Sequence, residues 1–193
     1  MAELEKEAFG PEGDSSRHLP MIELDERLSA LPAPPKDVGK LSLIVRRRPD
    51  GVRETPERVQ LSPGEGIPGD GWSRRPPRED VAELAVMRSD VAALISNGQD
   101  LTVCGDNLFV DLDISAGSLA IGARLRVGDA EVEVTPKPHN GCMKFKQRFG
   151  QDALTFVNRP STRDQNLRGI YWKVVVAGEV SVGARIEVLS PEQ

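Results

Sequence analysis

From Gly39 onward the chain is written in short apolar runs cut by glycine and proline: "LSLIV" at 41–45, "LTV" at 101–103, "LRV" at 125–127, "AEVEV" at 130–134, "YWKVVV" at 171–176 and "RIEVL" at 185–189. Where such runs alternate apolar and polar residues, every second side chain faces one side, as a half-buried strand requires. Many short strands with frequent turn residues predict a mostly β, mostly antiparallel structure, closed as a barrel or stacked as a sandwich. The clearest local unit is "RLRVGDAEVEVT" at 124–135, where Gly128-Asp129 supplies a tight turn between two alternating arms. Helices are few. "SDVAALISNG" at 89–98 places Val91, Leu94 and Ile95 at helical spacing, with Ser89 as N-cap and Asn97-Gly98 as the stop. "KFKQRFGQDALTFVN" at 144–158 supplies one or two more short helices, and Ile22 to Leu31 another. "IGARLRV" at 121–127 echoes "VGARIEV" at 182–188, either as a duplication or as one turn solution used twice to enter a strand; the second is favoured, because two matches are too few for a solenoid.

Residues 1–38 have a different texture. They are polar and acidic, and "LPAPPK" at 31–36 is a stiff proline-rich spacer, so this part reads as a partly disordered extension ahead of one barrel domain at 39–190. A chain of 193 residues is long enough for one good core. It has no apolar run near the eighteen or so residues of a membrane helix and no secretory leader pattern, so a cytoplasmic protein with no membrane partner is expected. With two cysteines, Cys104 and Cys142, there is no disulfide framework, and both thiols are expected reduced.

The formal net charge of −5 argues against nucleic acid, but its distribution is more informative. Glu3, Glu5, Glu7, Glu12, Asp14, Glu23, Asp25 and Glu26 face only Lys6, Arg17 and Arg27 in the first thirty residues. Residues 137–173 reverse the balance, with Lys137, Lys144, Lys146, Arg148, Arg159, Arg163, Arg168 and Lys173 against Asp152 and Asp164. That segment is built to meet an anion.

Inside it, "PKPHNGCMKF" at 136–145 is the sharpest chemical signal. Pro136 and Pro138 stiffen the loop and Gly141 permits a bend, so Cys142 is expected to project from a fixed support. Lys137, His139 and Lys144 are the candidates to favour its thiolate, the form that attacks electrophiles and binds soft metals. A cysteine hydrolase is disfavoured, because no Asn or Asp partner for His139 is evident. Structural zinc is disfavoured too, with two histidines, two cysteines and no Cys-x-x-Cys spacing. "GEGIPGDGW" at 64–72 lacks the context of a Rossmann or phosphate loop, but it can place Asp70 on one wall of a polar pocket. In "CGDNLFVDLDIS" at 104–115, Asn107 offers an amide to a site or simply caps the turn with Asp106, and Cys104 reads as a small buried hydrophobe. Arg168, entering the strand with Tyr171 and Trp172, offers a guanidinium fork suited to phosphate.

In their order, "GIPGD", "GDNLFVDLDI", "IGARLRVGDAEVEVT", the cysteine loop and "LRGIYWKVVVAGEVSVGARIEV" resemble the MOSC domains, the family named for the C-terminal domain of molybdenum-cofactor sulfurases. The resemblance spans roughly 39–190 and implies a compact β-barrel in which Cys142 carries sulfur as a persulfide or ligates molybdenum in a pterin cofactor. It also brings molybdenum ion binding and pyridoxal phosphate binding into the range of expected properties. Arg148, Arg168 and Lys144 would then meet the cofactor phosphate, with Asp70 and Asn107 lining the pocket. The implied partner is a sulfur donor such as a cysteine desulfurase, or a reductase that donates electrons for reduction of an N-hydroxylated small molecule. Asn140-Gly141 precede the cysteine where the family often has proline, and Gly71-Trp72 follow "GIPGD" where relatives often carry a basic residue. The competing expectation is a non-catalytic barrel that recognises a small anion while its acidic N-terminus docks a protein.

Overall fold

The structure, a computed structural model, describes residues 10–74 and 78–189. Among the described residues, seven strands close into a barrel: β1 (Val38–Ile44), β5 (Leu84–Arg88), β6 (Leu108–Asp111), β7 (Arg124–Val127), β8 (Ala130–Val134), β9 (Ile170–Val176) and β11 (Arg185–Leu189). The order around the barrel is β1-β11-β7-β8-β9-β5-β6, returning to β1. Closure leaves no unpaired edge. Two small ribbons attach to it: β2 (Arg46–Arg47) with β3 (Arg53–Glu54), and β4 (Arg58–Leu61) with β10 (Gly178–Ser181).

Alternation decides what faces inward. Leu125 and Val127, then Ala130, Val132 and Val134, then Ile170, Trp172 and Val174 fill the barrel interior, and their neighbours in each strand stay at least partly exposed. The predicted hairpin forms with Val127 opposite Ala130, and Gly128 takes the positive φ of +54° that the two-residue turn needs. β5 and β6 break the antiparallel expectation, because they pair in parallel. A parallel pair needs a crossover and is covered on both faces. Here the crossover includes helix α2 (Ser89–Ser96), and Phe109 and Met87 face a second, outer core while Leu108, Val110 and Val86 face the barrel.

That outer core lies between the barrel wall and three helices: α1 (Met21–Ala30), α2 and α3 (Met143–Asn158). Leu19 and Leu24 of the N-terminal segment are buried in it with Phe145, Phe149 and Phe156 of α3, so residues 19–30 are packed onto the barrel. α3 is broken at Gly150, whose φ of 92° and ψ of 171° no helix contains. Helix α2 ends at Asn97 in the left-handed region, as the sequence predicts, but Arg88 and not Ser89 is its N-cap. The Ser89 hydroxyl donates to the Val110 carbonyl instead. "LTV" belongs to a short 3-10 turn, Leu101–Cys104, and not to a strand.

The internal echo has a simple account. β7 and β11 are antiparallel neighbours, with Leu125 opposite Val188 and Val127 opposite Ile186. Each is entered by a turn with a glycine at positive φ, Gly122 at 84° and Gly183 at 86°. One entry device is used twice.

Candidate functional site

Between the β2–β3 ribbon, the loop after β8 and the start of α3 lies a cavity of about 480 Å³. Its wall includes Cys142 and six cationic side chains: Arg47, Arg53, Lys137, Lys144, Arg148 and Arg168. Trp72, His139 and Tyr171 add flat surfaces, and Glu79 an acidic one. The fold explains the gathering. Arg47 and Arg53 are directly opposed across β2–β3, which sends both side chains to one face. Lys137 and His139 ride the stiff Pro136–Pro138 stretch, and Cys142 is the N-cap of α3, its carbonyl accepting from the Lys146 amide at 3.0 Å.

Cys142 is exposed, and Cys104, on the same cavity wall, is buried. Burial, with the Asp106 charge beside it, pushes the Cys104 thiol up to about 12. The two sulfurs of the cavity therefore differ in chemistry: one accessible and free to react, the other a held thiol. The Arg148 guanidinium lies within electrostatic reach of both.

Behind the cavity sits a buried charge cluster. Asp106 is fully buried, and Arg168 Nη1 donates to both its oxygens at 2.8 and 2.9 Å. Burial pushes the Asp106 carboxyl up, while Arg168, Arg47 and Arg148 pull it back. His139 Nδ1 lies 3.7 Å from Asp106 Oδ1, too far for a hydrogen bond, and the imidazole packs on Tyr171 with ring centroids 4.3 Å apart. Burial, together with the nearby positive charges of Arg168 and Arg47, drives the His139 pKa well below 6.5. At neutral pH this ring is uncharged.

Several expectations are corrected by this geometry. His139 brings no positive charge to Cys142, because burial, reinforced by Arg168 and Arg47, keeps it neutral. Lys137 is paired with Glu79, which offsets its charge. Arg168 lines the cavity but is committed to Asp106 and stacks over Phe145 at 5.0 Å. Asp70 and Asn107 do not line the cavity; they hold Arg47. Asp70 is 1% exposed and accepts from the Arg47 amide at 2.7 Å, from Arg47 Nε at 3.0 Å and from the Trp72 amide at 2.9 Å. Burial opposes its ionisation, but the Arg47 guanidinium and these amides hold the carboxyl below its ordinary range. Asn107 Oδ1 accepts from Arg47 Nη2 at 3.3 Å and from the Ala85 amide at 3.2 Å, so one amide ties the arginine to the barrel wall. Lys144 and Arg148 line the cavity.

Arg47, Arg53, Asp106 as a charge centre, Trp72 and Tyr171 are site residues that the sequence reading passed over. The arginine run "RRR" at 46–48 directly after an apolar strand was the available signal for Arg47. Tyr171 follows from strand parity: its neighbour Trp172 points into the barrel, so Tyr171 must point out.

A closed β-barrel with one accessible thiol on the wall of a cationic cavity is the class the fold and site define. The chain belongs to the MOSC domain family, whose model matches residues 77–187. Among solved structures, it is similar to YiiM from Escherichia coli at 17% identity and TM-score 0.54, covering 79% of this chain and 71% of that one. It is also similar to the YuaD protein from Bacillus subtilis at 17% identity and TM-score 0.54, covering 80% of this chain and 97% of that one. Both likenesses concern the fold. A comparison with curated proteins finds no match. No helix of the described residues is long and apolar enough to cross a membrane.

Proposed function

We propose that the protein handles sulfur or molybdenum cofactor at Cys142, with the cationic cavity as the seat of an anionic cofactor or substrate group. The observation that carries this reading is the exposed thiol on a cavity wall that also holds six cationic side chains, of which Arg47, Lys137 and Arg168 are ion-paired to Asp70, Glu79 and Asp106.

The cavity residues fit a phosphorylated pterin ligand. Two buried nitrogens on its wall, His139 Nδ1 and Arg168 Nε, have no hydrogen-bond partner in the protein. Buried polar atoms of this kind call for a ligand or water. Among the described residues no cluster of three or more His, Cys, Asp or Glu could hold a metal by itself. Cys142 would therefore be the protein's single sulfur ligand, with the cofactor supplying the rest. A bound molybdenum cofactor would supply two-electron chemistry, such as reduction of an N-hydroxylated compound with electrons from a reductase. The protein's own part is binding and orientation. Arg148, Lys144 and Arg53 offer charge to phosphate, and Arg47 is fixed by Asp70. Trp72 gives a flat face for a ring system. The neutral His139 imidazole can donate a hydrogen bond at one ring nitrogen and accept one at the other without adding charge to the site.

In the carrier mode, the Cys142 thiolate attacks the outer sulfur of a persulfide on a donor such as a cysteine desulfurase. A sulfur–sulfur bond forms at Cys142, the donor's sulfur–sulfur bond breaks, and the donor cysteine leaves as thiolate. The test is mass spectrometry of protein made in a host that synthesises molybdopterin, and of protein treated with a desulfurase and cysteine, each alongside Cys142→Ala. Molybdenum with pterin, or one added sulfur on Cys142, is expected in the native protein and lost in the variant. Neither signal in either preparation overturns the proposal in favour of a non-catalytic anion-binding barrel.

A further inference from the structure

Arg148 is held in an unusual way. It lies two residues before Gly150, where α3 breaks, so the Arg148 carbonyl loses the amide at Asp152 that an unbroken helix would offer it. His18 replaces that donor: its Nε2 sits 3.2 Å from the Arg148 carbonyl oxygen. The fit is close on both sides, since a methyl at Gly150 would lie 2.9 Å from His18 Nδ1. Further back in the chain, Gly13 presses on the same residue. A methyl there would come within 2.2 Å of the Arg148 carbonyl oxygen and 2.4 Å of its Cα.

The guanidinium is bracketed as well. A methyl at Gly10 would fall 3.2 Å from Arg148 Nη2 and 2.2 Å from Arg53 Nη2, and one at Gly105 would fall 3.1 Å from Arg148 Nη1. Arg53 and Gly105 line the cavity beside Arg148. The strap from Gly10 to His18 is itself fastened, with the Asp14 amide donating to Gln99 Oε1 at 2.7 Å and Asn97 Nδ2 donating to the Arg17 carbonyl at 3.0 Å. The strap also lies outside residues 77–187, the stretch the family model matches.

We infer that the N-terminal strap Gly10–His18 is a positioning element of the site, in which His18 and Gly13 fix Arg148 so that its positive charge is presented to Cys142 and to the anionic group the cavity takes. The inference rests on the reading of the cavity as an anion site but not on any cofactor being bound. Gly13 can be no larger residue, because the strap backbone touches the Arg148 backbone. His18 acts through Arg148 and is a positioning residue.

The experiment measures alkylation of Cys142 in the full chain at low ionic strength with two reagents of similar size, anionic iodoacetate and neutral iodoacetamide. The ratio of the two rates reads the local positive potential and cancels general changes in thiol reactivity. Arg148→Gln sets the ratio expected when the charge is gone. His18→Ala and Gly13→Ala should lower the ratio by about threefold or more toward that limit, and His18→Gln, which keeps an N–H donor for the carbonyl, should restore it. A purely structural role for the strap would lower the melting temperature of His18→Ala and leave the ratio at the native value. That result overturns the inference, and so does a ratio that Arg148→Gln itself does not change. If Gly13→Ala fails to fold, His18→Ala decides, since it removes one half-buried ring. Absence of molybdenum or persulfide in the native protein would defeat the proposed function and leave this ratio readable.

Discussion

The neutrality of His139 has a measurable consequence for folding. In the native protein its ring is buried against Tyr171, Asp106 lies 3.7 Å away, and Arg168 and Arg47 add positive charge nearby. Its folded pKa is depressed, so the stability it contributes is present above the unfolded value near 6.5 and is lost as pH falls toward the folded one. Between those values the unfolded chain binds a proton that the native protein refuses. Within that window linkage removes up to about 1.4 kcal/mol of stability for each pH unit of the fall. Glu83 acts in the opposite sense: burial raises its carboxyl, against donation from the Gly66 and Val174 amides, so its contribution is lost as pH rises. The readout is therefore the difference between native protein and His139→Gln in urea unfolding, measured at half-unit steps across that window. The native protein should lose stability more steeply than the variant as pH falls below about 6.5, by up to about 1.4 kcal/mol per pH unit. Parallel pH profiles for the two proteins would refute the account of a charge-excluded imidazole.

Other outcomes follow from the same geometry. Asp106→Ala removes the partner of the buried Arg168 and should cost about 3–5 kcal/mol in urea unfolding; a change below about 1 kcal/mol would contradict the buried pair. Gly169 has φ of 105° and a methyl there would lie 2.2 Å from the Val86 carbonyl oxygen, so Gly169→Ala should destabilise by about 1–3 kcal/mol or more in thermal unfolding. At pH 8 a maleimide should label Cys142 quickly and leave Cys104, buried and pushed up to about 12, untouched until the protein unfolds. Two thiols labelled at equal rates in the native state would contradict that division.

The barrel was legible because its strands obey a period of two that burial enforces. "AEVEV" and "YWKVVV" could pack only one way, and the hairpin between Val127 and Ala130 was fixed by its turn residues. The parallel β5–β6 pair was not legible, since "LAVMR" is buried on both faces and carries no alternation to read. Cys142 stood out because a thiol among prolines, glycine and cations is a local pattern. The sign of its neighbours did not follow from that pattern. Lys137 meets Glu79 from 58 positions away, and His139 is silenced by burial together with Arg168, from the turn before β9, and Arg47, from β2. Arg47 was missed because its value to the site depends on Asp70 and Asn107, distant residues that looked like pocket lining and proved to be its support. The N-terminal segment read as an acidic extension because its glycines are meaningful only against Arg148 and Arg53.

One accessible thiol seated among cations is the centre of the proposed chemistry, and its most direct test is the molybdenum and pterin content of purified protein from a molybdopterin-producing host, set beside Cys142→Ala and Arg148→Gln. Near-stoichiometric metal with pterin in the native protein, abolished in Cys142→Ala and reduced in Arg148→Gln, is the predicted result. Retention of the same metal and pterin by Cys142→Ala would contradict it.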